Sequence, residues 1–435
     1  MAKKTTFIGL LGFGTVGSAV YRLINSNRDL LQRKTDHEIQ IKSICEKNMS
    51  KAVGVDQKLF TTDYEAIAAD PDISIVVELM GDCPEALEAM RMALSRGNSV
   101  VTANKALIAR HAPELFELAR KNNCEILFEA SVGGGIPVLR ALREGLASNR
   151  IRSLYGIING TSNYILSKMT AEGADFQAVL KEAQALGYAE ADPGSDIMGT
   201  DVVYKLAILT MLCHGRFVNV DEIFCRGIAH ILPLDIKMAE KFGYVIKMLG
   251  ITKMHDHSFE ARVHPAMIPV NNPLAHVHGA FNAIQYHGDF SGEGMLYGLG
   301  AGGNPTASAV VSDIIELSRN IQSQNRINLG STGFSHHTLE AARPRDILEL
   351  HTCYYIRFSV LDRPNVLAGI TAVLGRNNIS IQHLYQQGQR QEDAVPVIVF
   401  THKACERDIR SALKEIDAMD FITQTTKIIR IEDEP

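Results

Sequence analysis

The sequence predicts an α/β protein with three parts: a doubly wound parallel sheet of Rossmann type, an α+β region, and a small ferredoxin-like module at the C-terminal end. Three observations predict it. Short apolar runs alternate with helical segments through the first 130 residues, the rhythm of a parallel sheet built from βαβ units. A Gly12-x-Gly14-x-x-Gly17 turn follows the first run and opens an amphipathic stretch. The last eighty or so residues read strand–helix–strand–strand–helix–strand.

Taken in order, TTFIGLL at 5–11 is a strand, and the amphipathic stretch after the glycines reaches Leu31. Further strands are predicted at 39–45, 73–78, 99–102 and 125–129, with helices at 84–95 and 112–121 between them. From Ser131 the segment SVGGGIPVLRALREGLA reads as a glycine turn opening a helix. A strand at 151–158 and helices at 161–169 and 176–186 follow. The next helix carries Asp201 and runs on through VVYKLAILTMLC. That face is too apolar to lie on the surface, so its charges are expected to line a cavity. Strands are expected at 259–264 and 280–286, a second glycine-rich turn at 298–303, and a helix at 306–318. From 322 to 345 the composition shifts to Ser, Asn, Gln, His and Gly without apolar period, as in a linker. The last module has strands at 354–362, 379–388, 394–402 and 422–431, with helices after Pro364 and at 406–416. The division expected is 1–130, 131–321, a linker at 322–349 and a module at 350–435, the last helix of the second part returning to the first.

Composition excludes several classes. Apolar content of 46% and charge of 21% suit a protein with sizeable cores. A net charge of −5 argues against nucleic acid or an anionic membrane as partner. No apolar run reaches the ~18 residues a membrane span needs. Residues 8–20, after Lys3 and Lys4, superficially resemble a signal peptide, but four glycines and the lack of a cleavage site favour strand and turn. Seven cysteines, odd in number and without metal or disulfide spacing, read as reduced thiols of a cytoplasmic protein.

The glycine turn is the first chemical signal. Gly12 permits a tight turn, Gly14 lets backbone approach a pyrophosphate, and Gly17 lets helix and strand pack closely. The second strand ends at Cys45-Glu46-Lys47-Asn48, with Lys51 beyond. Glu46 is able to accept from a ribose 2′-hydroxyl, which suits NAD. Lys47 and Lys51 suit the 2′-phosphate of NADP. The readings compete, with NADP slightly favoured.

The second signal is GYAEADPGSDIMGTDVVYK at 187–205. It sets Glu190, Asp192, Asp196 and Asp201 before Lys205, and Asp201 shares a helix face with Lys205 at i,i+4. Isolated pairs of this spacing are mostly weak surface salt bridges. Here they pair carboxylates able to hold an ammonium group with an amine able to move a proton. Thr102-Ala-Asn-Lys105 closes a strand where ligands of doubly wound sheets gather, and Asn159-Gly-Thr-Ser-Asn-Tyr164 supplies small polar groups at a helix start. His255-Asp-His257 and His276-Val-His278 lack the partners of a metal site, and His214 reads as a helix C-terminal cap favoured by the dipole.

VTANKALIA, FEASVGGGIPVLRALREGLA, GIINGTSNYIL, GYAEADP…D…D…K and YGLGAGGNPTASAVVSDI resemble, in order, the signature blocks of homoserine dehydrogenases, over residues 5 to about 320. The resemblance implies reversible NAD(P)H-dependent reduction of L-aspartate 4-semialdehyde to L-homoserine, on the route to threonine, methionine and isoleucine. It implies Lys205 as proton donor and acceptor, with Lys105 beside it in the transfer. Glu190 and Asp201 would hold the amino and hydroxyl groups of the substrate, with Asp196 lining the pocket. Phe13, Thr15, Val16, Gly187 and Gly302 would contact cofactor, alongside Gly12, Gly14, Gly17, Lys47, Thr102 and Lys105. A structural sodium or potassium ion would sit at Glu129, Val132, Gly134 and Ile136, on oxygens suited to a hard cation.

Residues 354–431 resemble an ACT domain, on the run Leu361-Asp-Arg-Pro-Asn-Val-Leu-Ala-Gly-Ile370 and Asn378-Ile-Ser-Ile381. Threonine feedback is the implied regulation, in a homodimer or homotetramer. Asn365 stands where that family usually has glycine, which bears on effector binding. No aspartate-kinase-like segment precedes residue 1, so a monofunctional enzyme is expected. Another ACT-regulated dehydrogenase of the same nucleotide fold would share the glycine turn but not the 190–205 block. A non-enzymatic amino-acid sensor would have no use for Lys105 and Lys205.

Overall fold

The computed structural model describes residues 5–51, 54–256, 258–323, 330–334, 339–386 and 394–433. They form two compact units: Met1–Gly160 with Asp201–Ile223 and Phe281–Arg343, and Thr161–Thr200 with Phe224–Ala280 and Pro344–Pro435.

The first unit is built on a six-stranded parallel sheet. Its strands are β1 (Thr5–Leu11), β2 (Glu38–Cys45), β3 (Phe60–Thr61), β4 (Ile73–Glu78), β5 (Ser99–Thr102) and β6 (Ile126–Leu127), in the order β3-β2-β1-β4-β5-β6. The order in which strands are added reverses between β1 and β4, which is where such sheets open a ligand crevice at their carboxyl ends. The strands read as continuous apolar runs because both faces are covered. The helix Gly303–Ser323 packs on this sheet: Ala307, Val310, Val311, Ile314 and Leu317 form one stripe that joins Ile8, Leu10, Val20, Ile75 and Val77 in the core. The unit also holds three antiparallel strands, Ile151–Ile157, Phe281–Gly288 and Gly292–Leu299, and the helices Lys105–Lys121 and Thr200–His214.

In the second unit the hairpin of Tyr244–Met254 and Phe259–Pro269 leads into the last module. Strand Ile422–Ile431 pairs in parallel with Phe259–Pro269 at Ala266↔Arg430 and Met267↔Ile431. His351–Leu361, Ala394–Thr401 and Ile381–Gln386 follow in that order, all antiparallel. The helices Val366–Arg376 and Glu406–Asp417 cover one face, burying Ile356, Phe358 and Val360 at every second residue. Tyr355 and Arg357 point to the opposite face, where both bond to Asp235 at 2.7 Å.

Several local expectations change. Tyr244–Met254 and Gly292–Leu299 are strands that the sequence reading left unassigned, so part of the expected 298–303 turn is strand. The helix expected from 112 begins at Lys105, and the helix after the glycine turn at 133–135 is one turn of α-helix followed by a π-helical turn at Ala141–Gly145. The expected linker at 322–349 holds the strand Glu340–Ala341 and a 3-10 turn, Ile347–Glu349, while 324–329 and 335–338 lie outside the described residues. Residues 350–435 share a unit with 224–280, because the sheet of the last module continues into the 244–269 hairpin. No helix among the described residues is long and apolar enough to cross a membrane.

Candidate active site

The turn after β1 is shaped by backbone approach. Gly12 has φ +97°, and a β-carbon there would lie 2.4 Å from the Leu79 carbonyl oxygen. One at Gly17 would lie 2.1 Å from the carbonyl oxygen of Gly12, so helix Thr15–Ser26 starts close against the strand. The Phe13 ring is buried edge-on to Tyr21 and Phe60, while Thr15 is exposed and Val16 half-buried. Gly303, next to Gly302, comes so near that a β-carbon would sit 3.0 Å from the Thr15 carbonyl oxygen. The two glycine-rich turns therefore meet.

Glu46 is engaged inside the protein. Its carboxylate accepts from the Phe13 amide at 3.0 Å, the Asn48 amide at 2.9 Å and Lys51 Nζ at 3.1 Å. Burial works against its charge, and these donors overcome it, holding Glu46 below the usual carboxylate range. Lys47 is exposed and pairs with Glu85 at 3.0 Å.

At the end of β5, Asn104 caps the next helix by accepting the Leu107 amide at 3.1 Å, which makes Lys105 its first residue. Lys105 Nζ lies 3.2 Å from Asp201 Oδ1. Lys205 Nζ lies 2.7 Å from Asp201 Oδ2 and donates to the Ile158 carbonyl at 2.8 Å. Asn159 Nδ2 also donates to Asp201 Oδ2, at 2.9 Å. One buried carboxylate thus joins the amines of Lys105 and Lys205, from two different helices. Burial opposes the charge of Asp201, but Lys205 and Lys105 outweigh it and hold the carboxyl down to about 2. The Lys205 side chain is only 13% exposed, so the pair is not the ordinary surface salt bridge.

Glu129 begins the loop that leads through Val132, Gly134 and Ile136. Its carboxylate accepts the amides of Leu139 at 2.9 Å and Arg140 at 2.7 Å, and its own amide donates to Asp313 at 2.9 Å. Burial pushes the Glu129 carboxyl up to about 7 against the pull of those amides. The Gly135 amide ties the loop to the Leu299 carbonyl at 3.1 Å.

Gly187, Glu190 and Asp196 belong to the second unit. Gly187 turns the chain with φ +76°, Glu190 is exposed, and Asp196 lies in the short helix Gly194–Met198. The loop is held by Thr161, whose hydroxyl donates to the Tyr188 carbonyl at 2.7 Å, and by Gln184, which donates to the Glu190 carbonyl at 3.1 Å. His214 is the last residue of its helix, and burial holds it down to about 4. His257 lies outside the described residues, and His255 bonds to Glu260 at 2.8 Å. All seven cysteines are free thiols. Sequence reasoning missed Glu78, which bonds Thr102 from the end of β4, and the Ile158 carbonyl that anchors Lys205. A lone buried carboxyl in VVELM and a main-chain oxygen leave no sequence signal.

A parallel sheet with a glycine turn at its switch point, in one unit with amines held on a buried carboxylate, marks an NAD(P)-dependent oxidoreductase. The family models agree in detail. Residues 12–129 match the NAD-binding domain of homoserine dehydrogenase, 137–315 match homoserine dehydrogenase, and 354–421 match the ACT domain. The chain is 41% identical to the homoserine dehydrogenase of Neisseria gonorrhoeae, covering 99% of each, and 38% identical to that of Pseudomonas aeruginosa, again over 99% of each. It resembles the crystal structure of a homoserine dehydrogenase from Thiobacillus denitrificans with a TM-score of 0.93, at 40% identity and 99% coverage of both chains. A hyperthermophilic archaeal homoserine dehydrogenase solved with NADPH matches at a TM-score of 0.63 and 29% identity, over 72% of this chain and 98% of that one. The chain belongs to the homoserine dehydrogenase family.

Proposed function

We propose that Lys205 is the proton donor when aspartate 4-semialdehyde is reduced to homoserine, and the acceptor in the reverse direction. The observation that carries this is the Asp201 carboxylate shared between Lys205 and Lys105. The nicotinamide, when bound, supplies the hydride. As hydride reaches the aldehyde, charge grows on its oxygen, and a neighbouring ammonium stabilises that charge and then protonates it. Lys205 is that ammonium, and Asp201 with the Ile158 carbonyl fixes its direction. Lys105 meets the other oxygen of the same carboxylate and assists the transfer. Glu190 and Asp201 take the amino and hydroxyl groups of the substrate, and Asp196 lines its pocket.

Residues 1–130 serve the cofactor, 131–321 the substrate, and 350–435 regulation. Gly12 to Gly17 receive the pyrophosphate, with Thr102, Gly187 and Gly302 contributing. NADP is slightly favoured, because the amides of Phe13 and Asn48 already occupy Glu46 while Lys47 is exposed at the end of β2. The 129–136 loop suits a sodium or potassium ion through carbonyl oxygens, and a cation would compensate the buried Glu129 carboxylate, whose oxygens each keep a second lone pair. Threonine is the effector assigned to the ACT domain, in a cytoplasmic homodimer or homotetramer that serves threonine, methionine and isoleucine synthesis.

Following NADPH and then NADH consumption with aspartate semialdehyde tests the reading. Turnover with both, faster with NADPH, is expected, and no turnover with either would overturn it. Activity that is equal with and without millimolar threonine removes the regulatory assignment. A Tm that is the same in potassium, sodium and tetramethylammonium chloride removes the cation.

A further inference from the structure

A buried hydrogen-bonded chain joins the cofactor turn to Lys105. Glu78 closes β4 opposite Leu11 of β1 and is fully buried. One of its oxygens accepts the Met80 amide at 2.7 Å, and the other accepts the Thr102 hydroxyl at 2.6 Å. That hydroxyl accepts the amide of Asn104 at 2.9 Å. Asn104 donates to the Gly81 carbonyl at 2.9 Å and caps the helix on which Lys105 is the first residue. The loop 79–82 meanwhile stands against the glycine turn, with the Leu79 amide on the Leu11 carbonyl at 2.8 Å and its carbonyl beside Gly12. A single carboxyl therefore ties the loop beside the glycine turn to the start of the Lys105 helix.

An ordinary core role fits poorly here. Val76 and Val77, just before it, fill the sheet with apolar side chains, and a carboxyl at Glu78 must be desolvated to do the same. Burial pushes it above the usual carboxylate range, against the pull of Thr102, Met80 and Gly81. Such networks are costly unless satisfied, and when satisfied they fix one geometry.

We propose that Glu78 is a positioning residue for the reaction: through Thr102 and Asn104 it fixes Lys105, and through Met80 it fixes the loop beside Gly12. This rests on the reading of Lys105 as partner in the proton transfer. The test is a double-mutant cycle of Glu78→Ala and Lys105→Ala, reading kcat, the NADPH KM and Tm. Glu78→Ala is expected to lower kcat about tenfold and raise the NADPH KM about threefold. In the Lys105→Ala background it is expected to lower kcat by less than about threefold, since what it positions is gone. A further loss of about threefold or more there overturns the proposal alone. Wild-type kcat in Lys105→Ala overturns the reading of Lys105 as well. If Glu78→Ala does not fold, Thr102→Ser and Thr102→Val decide. Ser keeps the hydroxyl and is expected to exceed Val about tenfold in kcat, and equal values overturn the proposal.

Discussion

Asp201 holds the amine of Lys205 in place at 2.7 Å and sets a buried negative charge beside it. Replacing Asp201 with Asn removes the charge and keeps the shape. The expected result is a kcat for aldehyde reduction lowered about tenfold or more, measured with NADPH. A kcat equal to wild type would show that the carboxylate charge is idle. The i,i+4 spacing made the Asp201–Lys205 pair legible from sequence, because helical periodicity alone places it. The contact of Lys105 with Asp201 was not legible, since it joins elements 96 positions apart by tertiary packing. Glu46 was legible as a residue but not as a lock on the Phe13 amide, which only the closeness of β2 to the turn creates.

At the scale of elements, the parallel sheet could be read because each strand is a short apolar run bounded by helices. Tyr244–Met254 could not, since YVIKMLGITKM is buried almost throughout and lacks the alternation that separates strand from helix. The joining of strand 422–431 to the 259–269 strand also has no local signal. It does leave a testable trace: Glu432, just past the strand, pairs with Arg262 at 2.6 Å, and both are buried. Glu432→Ala takes two bonds from that guanidinium, leaving it Glu260 at 3.1 Å, and should cost roughly 1–3 kcal/mol, seen as a lower midpoint in chemical denaturation. A midpoint within error of wild type would mean the pair is incidental. In the ACT domain, Asn365 has φ +70° at the start of its helix, which explains why glycine is common there and why Asn is tolerated. Asn365→Val should cost about 1–2 kcal/mol and Asn365→Gly only a few tenths, measured by thermal unfolding. Equal losses would mean the left-handed backbone is not what selects the residue.

Across the whole molecule, acid sensitivity follows from the buried pairs. Asp201 is held down to about 2, and Glu406 and Glu432 are also lowered: burial opposes their charge and nearby cations overcome it. Carboxyls depressed in the folded state contribute stability that is present above their unfolded values, near ~4, and lost as pH falls toward the folded ones. These groups make Tm drop steeply between pH ~4 and ~2, while Glu129, raised to about 7, works the other way and loses stability as pH rises from ~4 toward 7. An acid limb centred above pH 5 would point to other groups. The assignment as a whole, an ammonium aimed by a buried carboxylate at a growing alkoxide, is tested most directly by kcat for NADPH-dependent aldehyde reduction in Lys205→Ala. The account predicts a fall of about 10²–10⁴, the usual contribution of a proton donor, with folding and NADPH affinity retained. Retention of more than about a tenth of wild-type kcat would contradict it.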